Sequence, residues 1–118
     1  MRKILLVVDT ESVRDRVHAS LAGADITLVD HHDPKTAAAT AYAEGFDSVL
    51  VDMQVGSMGA MAVSRAVRSA AGTDTPIPVT ILLDRKADSF LAKRAGATNW
   101  VSKDQSPVAL RKAVGAAT

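Results

Sequence analysis

Four aspartates in this sequence each come directly after a short run of aliphatic residues, and one lysine comes directly after the predicted strand Asn99–Ser102. They are Asp9, Asp30, Asp52, Asp84 and Lys103. Asp is common where a chain leaves a buried strand, so one such residue would be unremarkable. Four of them together with a lysine are better explained by a metal ion and an oxygen-rich ligand, because Mg²⁺ binds carboxylates and an ammonium group neutralises phosphate.

The aliphatic runs themselves predict five β-strands. Nearly unbroken apolar runs are typical of strands that are covered on both faces of a parallel sheet. The predicted strands are Lys3–Val8, Ile26–Val29, Ser48–Val51, Pro78–Leu83 and Asn99–Ser102.

Longer alanine-rich stretches alternate with these strands and predict five helices. They are Ser12–Ala22, Pro34–Glu44, Gly59–Ala71, Ala87–Ala95 and Pro107–Ala116. Four are followed by a glycine that can close the last helical turn, namely Gly23, Gly45, Gly72 and Gly96. The alternation predicts a three-layer α/β/α sandwich around one parallel sheet, and ligands of such sheets bind at the carboxyl ends of the strands. The charged residues therefore share the edge at which function is expected.

Length and composition narrow the class of protein. The chain has 118 residues, 47% hydrophobic and 23% charged, with 14 basic and 13 acidic side chains. This favours one folded domain spanning residues 1–118. The absence of cysteine excludes disulfides, zinc–thiolate sites and cysteine nucleophiles, and the longest aliphatic run, Ile4–Val8, is too short to span a membrane. We expect a cytoplasmic domain.

Two of the carboxylates and the lysine form the most specific constellation. Asp9 and Asp52 follow the first and third predicted strands, and two carboxylates suit Mg²⁺, which keeps several of its waters. Lys103 follows the fifth strand and could neutralise a phosphate carried by one of them.

These residues and their surroundings resemble the receiver domain of two-component response regulators over essentially the whole chain. The resemblance is carried by Val7-Val8-Asp9 with Glu11, by Val49-Leu50-Val51-Asp52-Met53, and by Ala95-Gly96-Ala97 leading to Trp100-Val101-Ser102-Lys103. It implies a flavodoxin-like fold with strand order 2-1-3-4-5.

The resemblance also implies a function for each matched residue. Asp52 would be phosphorylated by a histidine kinase or a phosphotransfer protein, and Lys103 would contact the phosphoryl group. Mg²⁺ would be held by Asp9, Asp52 and the main-chain carbonyl of Gln54. A downstream protein would bind the face formed by the fourth helix, the fifth strand and the fifth helix.

Three departures from the family pattern bear on this function. Thr10 stands where a second acid normally binds the metal, so we expect weaker Mg²⁺ binding. Leu83 replaces the Ser or Thr whose hydroxyl follows the phosphoryl group, and Thr80, three residues earlier on the strand, points to the opposite face. Asp84 replaces a small residue and would repel a phosphoryl group unless it pairs with Lys103 or a metal. The chain is thus interpreted as an atypical receiver with an impaired metal site and switch.

Several alternatives remain open at this stage. Trp100 is either an aromatic residue that moves with the switch or a ring that simply packs against a helix. Ordinary phosphorylation and a phosphorylation-independent interaction module are both compatible with the sequence. A small phosphohydrolase with Asp52 as nucleophile is disfavoured, because Gln54 stands where that class needs an acid. We therefore interpret the chain as a signalling module and not an enzyme.

Other charged segments have simpler interpretations. Asp30-His31-His32-Asp33 reads as a solvated loop before a helix that Pro34 begins. From Ile77 onward there are seven basic and three acidic residues, which could steer an acidic partner or merely solvate the last two helices. Nothing indicates a nucleic-acid or membrane partner.

We expect the Thr10→Asp variant to bind Mg²⁺ more tightly and to be less stable in its absence. A third carboxylate attracts the cation and repels the other acids when no cation is bound. Thermal melts with and without Mg²⁺ measure both effects. An unchanged response to Mg²⁺ would remove position 10 from the metal site.

Overall fold

The computed structural model describes residues 2–21, 25–53, 59–72, 74–103 and 106–117. Its five strands are β1 (Arg2–Val7), β2 (Ile26–His31), β3 (Ser48–Asp52), β4 (Val79–Leu83) and β5 (Asn99–Ser102). All neighbouring pairs are parallel, and the sheet order is β2-β1-β3-β4-β5. The predicted flavodoxin-like arrangement is confirmed.

Five helices cover the sheet. They are α1 (Glu11–Leu21), α2 (Ala37–Ala43), α3 (Ala60–Ala70), α4 (Ser89–Arg94) and α5 (Pro107–Ala117). Short 3-10 turns at Pro34–Thr36 and Lys86–Asp88 precede α2 and α4, so these α-helices begin later than predicted. At the first turn, an Asp33 carboxylate oxygen accepts from the main-chain N–H of Lys35 at 3.0 Å, which fixes the tighter geometry. No helix in the described part of the chain is long and apolar enough to cross a membrane.

The core consists of two apolar layers, one on each face of the sheet. Leu5 and Val7 of β1 pack with residues of α2, α3 and α4, whereas Ile4 and Leu6 pack with residues of α1 and α5. Successive strand residues point to opposite faces, so a strand that is apolar throughout contributes to both layers. This explains the unbroken aliphatic runs of the sequence.

The second strand is longer than predicted. It was expected to end at Val29, but its pairing with β1 continues through Asp30 and His31. Both polar side chains of this edge strand have partners in neighbouring elements. Asp30 Oδ1 lies 2.7 Å from Nε2 of His18 in α1, and His31 Nε2 lies 2.8 Å from Oγ1 of Thr36 in the first 3-10 turn. The prediction that Asp30 follows the strand, and that it and His31 belong to a loop, was therefore wrong.

Three of the four glycines predicted to end helices have the expected left-handed backbone. The φ angles are 68° at Gly45, 61° at Gly72 and 77° at Gly96. Gly23 lies outside the described residues.

A tyrosine joins α2 to α3 and to the segment before β4. The Tyr42 hydroxyl donates to the carbonyl of Val67 at 2.7 Å and accepts from the N–H of Ile77 at 3.1 Å. We expect Tyr42→Phe to lower the free energy of unfolding by about 1–2 kcal/mol, because both main-chain groups lose this partner. Urea denaturation measures the change, with Ser69→Ala on the exposed face of α3 as control. Equal stability of the two variants would show that water replaces the hydroxyl.

Candidate functional site

Asp52 is the most deeply buried charged residue of the predicted site. It is the last residue of β3, between β1 and β4, and its side chain is 0% exposed. It pairs in register with Leu82 of β4. An ionised carboxylate in such a position needs a compensating positive charge.

Lys103 supplies that charge. Its Nζ lies 2.5 Å from Asp52 Oδ1 and 2.6 Å from Asp84 Oδ1, and its side chain is only 16% exposed. The N–H of Lys103 donates to the carbonyl of Leu83 at 2.9 Å, and its own carbonyl accepts from Arg16 Nη1 at 3.1 Å. The main chain of Lys103 is therefore held by both β4 and α1.

The charge state of Lys103 follows from two opposing effects. Burial disfavours the ammonium form and by itself lowers the pKa of Lys103, whereas the hydrogen bonds and charges of Asp52 and Asp84 raise it. The two carboxylates prevail, so the pKa lies above the ordinary value of 10.5. Lys103 is thus positively charged at neutral pH.

Asp84 is a member of this cluster, which we call the Asp–Lys–Asp triad (Asp52, Lys103 and Asp84). Asp84 is predicted to repel a phosphoryl group unless it pairs with Lys103 or a metal, and in the structure it pairs with Lys103. The pairing follows from topology: Asp84 follows β4 and Lys103 follows the neighbouring β5, with Leu83 opposite Ser102. The Asp84 side chain is 31% exposed and forms the outer part of the triad.

Asp9 lies at the same edge of the sheet. Val7 is opposite Val51 in the β1–β3 pairing, so Asp9 follows β1 beside the end of β3. Asp9, Thr10 and Glu11 are all exposed. Gln54, the third predicted metal ligand, lies outside the described residues.

Of the predicted switch positions, Leu83 and Trp100 pack in the core, whereas Asp84 belongs to the triad. Leu83 is 1% exposed and packs with Ile81 and Ala92, and the half-buried Trp100 ring packs against the same layer. Thr80 lies an odd number of residues before Leu83 on β4, so its side chain points to the other face. The hydroxyl of Thr80 therefore cannot substitute for the Ser or Thr hydroxyl that Leu83 replaces.

The donor set for a metal is limited. The described residues contain no group of three or more His, Cys, Asp or Glu side chains that could hold a metal ion. Asp9 and Asp52 offer two carboxylates from neighbouring strands, a number that Mg²⁺ accepts. The Lys103 ammonium already contacts one of these oxygens, Oδ1 of Asp52.

Comparison of structures identifies the class of fold. No family model and no curated relative matches the chain by sequence. The chemotaxis protein CheY4 of Vibrio cholerae is similar over 100% of this chain and 99% of its own, with 27% identity and a TM-score of 0.83. The response regulator ChrA of a heme-sensing two-component system is 30% identical over 98% of this chain, which spans 55% of that regulator, with a TM-score of 0.77.

A third structure shares the fold. The receiver domain of the sensor histidine kinase PA1611 of Pseudomonas aeruginosa, with magnesium coordinated in its active-site cleft, is 19% identical. The match covers 94% of this chain and 92% of that domain, with a TM-score of 0.78. The chain has the fold of response-regulator receiver domains, which confirms the resemblance predicted from the sequence. Receiver domains are signalling modules.

We expect Lys103→Met to lower the free energy of unfolding by about 3 kcal/mol, because it leaves the buried Asp52 carboxylate without its cation. Adding Asp52→Asn should restore much of this loss, since no buried charge then remains. Urea denaturation of wild type, both single variants and the double variant measures the coupling. Additive losses would contradict a direct interaction.

The same pair predicts a pH dependence. Folding raises the pKa of Lys103, so its contribution to stability is complete below about 10.5 and is lost as the pH rises through the folded-state value. The stability difference between wild type and Lys103→Met should therefore shrink in alkaline solution. If the stability difference between the two proteins stayed constant above pH 10.5, the lost packing of the Lys103 side chain, and not its charge, would explain the lower stability of Lys103→Met.

Proposed function

We propose that this domain acts in two-component signalling as a receiver whose phosphoryl acceptor is Asp52. The observation that carries the proposal is the buried Asp52 carboxylate at the end of the central strand β3, in contact with Lys103. The similarity to CheY4 and ChrA, both response regulators, supports it.

The chemistry follows from the charges at this edge. A carboxylate oxygen of Asp52 attacks the phosphorus of a phosphohistidine in the donor protein, the P–N bond breaks and the imidazole leaves. The product is an acyl phosphate, which brings roughly two negative charges at neutral pH. Lys103 is the described cation positioned to offset them.

A weakly held Mg²⁺ fits the two available carboxylates. Asp9 and Asp52 would bind it, and the ion would supply further neutralisation of the phosphoryl oxygens. The receiver domain of PA1611 holds magnesium in its active-site cleft, which supports this cofactor. Exposed Thr10 contributes no carboxylate, and Lys103 already contacts Oδ1 of Asp52. The affinity for Mg²⁺ should therefore be lower than in a site with a third acid.

A second function is favoured by the outer part of the triad. Asp84 already contacts Lys103 at 2.6 Å, and Leu83 offers no hydroxyl to a phosphoryl group. A protein with these features could present one constant surface to its partner irrespective of phosphorylation. The phosphodonor would then be dispensable, and the downstream protein would bind the face of α4, β5 and α5.

Incubation with acetyl phosphate and Mg²⁺ distinguishes the candidates. Intact-mass spectrometry of a receiver should show one added phosphoryl group that persists for minutes or longer, and the Asp52→Asn variant should show none. Absence of the adduct in wild type would support the phosphorylation-independent module. Continuous release of inorganic phosphate without a lasting adduct would indicate a phosphohydrolase.

The triad also predicts how the domain responds once Asp52 is modified. We expect beryllium fluoride, a phosphoryl mimic, to shift α4 and Trp100 little in wild type, because Leu83 gains no contact and Lys103 is held by Asp84. Leu83→Thr combined with Asp84→Ala should enlarge the NMR shifts across residues 83–95. The Asp52→Asn variant is the control. Large, cooperative shifts in wild type that Asp52→Asn abolishes would contradict the impaired switch.

A further inference from the structure

A cleft between the carboxyl-terminal halves of α3 and α4 carries a concentration of positive charge. Four exposed basic side chains line it, Arg65 and Arg68 from α3 and Lys93 and Arg94 from α4, and none of the described residues that line it is acidic. None of the four forms an ion pair with another residue of the described chain. We call this the basic cleft.

The floor of the basic cleft is fixed. The buried Ser64 hydroxyl donates to the carbonyl of Ala95 at 2.9 Å and joins the two helices. Arg68 crosses to the other wall and donates from Nη1 to the carbonyl of Gly96 at 3.3 Å. A Cβ at Gly96 would lie 2.5 Å from Arg68 Cδ, so the glycine leaves the space that the Arg68 side chain occupies. These two hydrogen bonds fix the position of α3 relative to the end of α4, and so the spacing of the basic residues on the two helices.

The basic cleft lies far from the triad. Gly96 shortly precedes β5, and the N–H of Thr98 bonds the carbonyl of Val79 at 2.8 Å, where β4 starts. Lys103 follows the other end of β5, and Asp52 is the last residue of β3, opposite Leu82 near that same end of β4. A ligand in the cleft therefore leaves the phosphorylation site open.

The helix dipole accounts for only part of this arrangement. Cations are favoured near helix carboxyl ends, which explains Lys93 and Arg94 in the last turn of α4 and Arg68 in the last turn of α3. It does not require that the two helices direct these charges, together with Arg65, into one cleft. Four cations without an ion-pair partner repel each other, so a bound anion would reduce this repulsion and lower the free energy of the domain with its ligand.

We propose that the basic cleft binds an acidic segment of a partner protein. The cleft borders helix carboxyl ends, whose main-chain groups are acceptors, whereas compact phosphate sites use main-chain N–H donors. In the described part of the chain no aromatic side chain lines it, so these residues offer no stacking surface of the kind on which single-stranded nucleic acids rely. Three arginines instead offer planar forks that match spaced carboxylates.

The test uses the full-length protein and a labelled peptide of alternating Glu and Ser. Fluorescence anisotropy at low salt should show binding that the matched Gln–Ser peptide lacks. NMR shifts of wild type should concentrate at residues 65–69 and 93–96. Arg65→Gln with Lys93→Gln should weaken binding about fivefold, as expected for two exposed charge contacts.

A matched variant removes the same charge elsewhere. Lys35→Gln with Lys112→Gln takes two positive charges from exposed sites outside the cleft. This variant should bind the acidic peptide like wild type. Equal weakening of both variants, or NMR shifts spread over the surface, would overturn the proposal in favour of unspecific attraction. Tighter binding of an oligothymidine of equal charge, lost in the cleft variant, would overturn it in favour of nucleic acid.

Discussion

One positive charge held between two carboxylates organises the functional edge of this domain. Asp52 is fully buried, and the Lys103 ammonium 2.5 Å away offsets the charge of its carboxylate. The order β3-β4-β5 makes this contact possible, because it places Asp52, Asp84 and Lys103 at the ends of three successive strands. The aliphatic residues behind them fill both core layers and fix the register on which these short distances depend.

In the proposed function, the triad makes a phosphoryl group compete with Asp84 for one cation. The phosphoryl group would need the Lys103 ammonium that Asp84 already contacts, and a metal ion would bind Asp52 beside the Oδ1 atom that Lys103 contacts. The carboxylate of Asp84 thus occupies Lys103 before any phosphorylation takes place. A phosphoryl group would have to displace the Asp84–Lys103 contact before it gains its own, so we expect a smaller response to phosphorylation than with a small residue at position 84.

The fold could be predicted from the sequence because the apolar runs alternate so regularly with the alanine-rich stretches. The limits of β5 agree with the structure, since both its ends are marked by polar residues. β2 was underestimated because its last two residues are polar but still pair with β1. Strand pairing is a main-chain property, and side-chain polarity does not reveal where it ends.

The site could be predicted in part. Asp52 and Lys103 were identified by their positions after buried strands, whereas the pairing of Lys103 with Asp84 depends on distances that the sequence does not contain. The basic cleft was missed for a similar reason. Arg65 and Arg68 are more than twenty residues from Lys93 and Arg94, and only the packing of α3 beside α4 brings them together.

The pKa of Lys103 in solution shows whether its ammonium is shared between Asp52 and Asp84. NMR titration of its side-chain Cε resonance, assigned with the Lys103→Met variant, reports this pKa in wild type, Asp52→Asn and Asp84→Asn. The shared ammonium predicts a wild-type pKa above 10.5 and a lower value in each of the two variants. A pKa that Asp84→Asn leaves unchanged would contradict the triad.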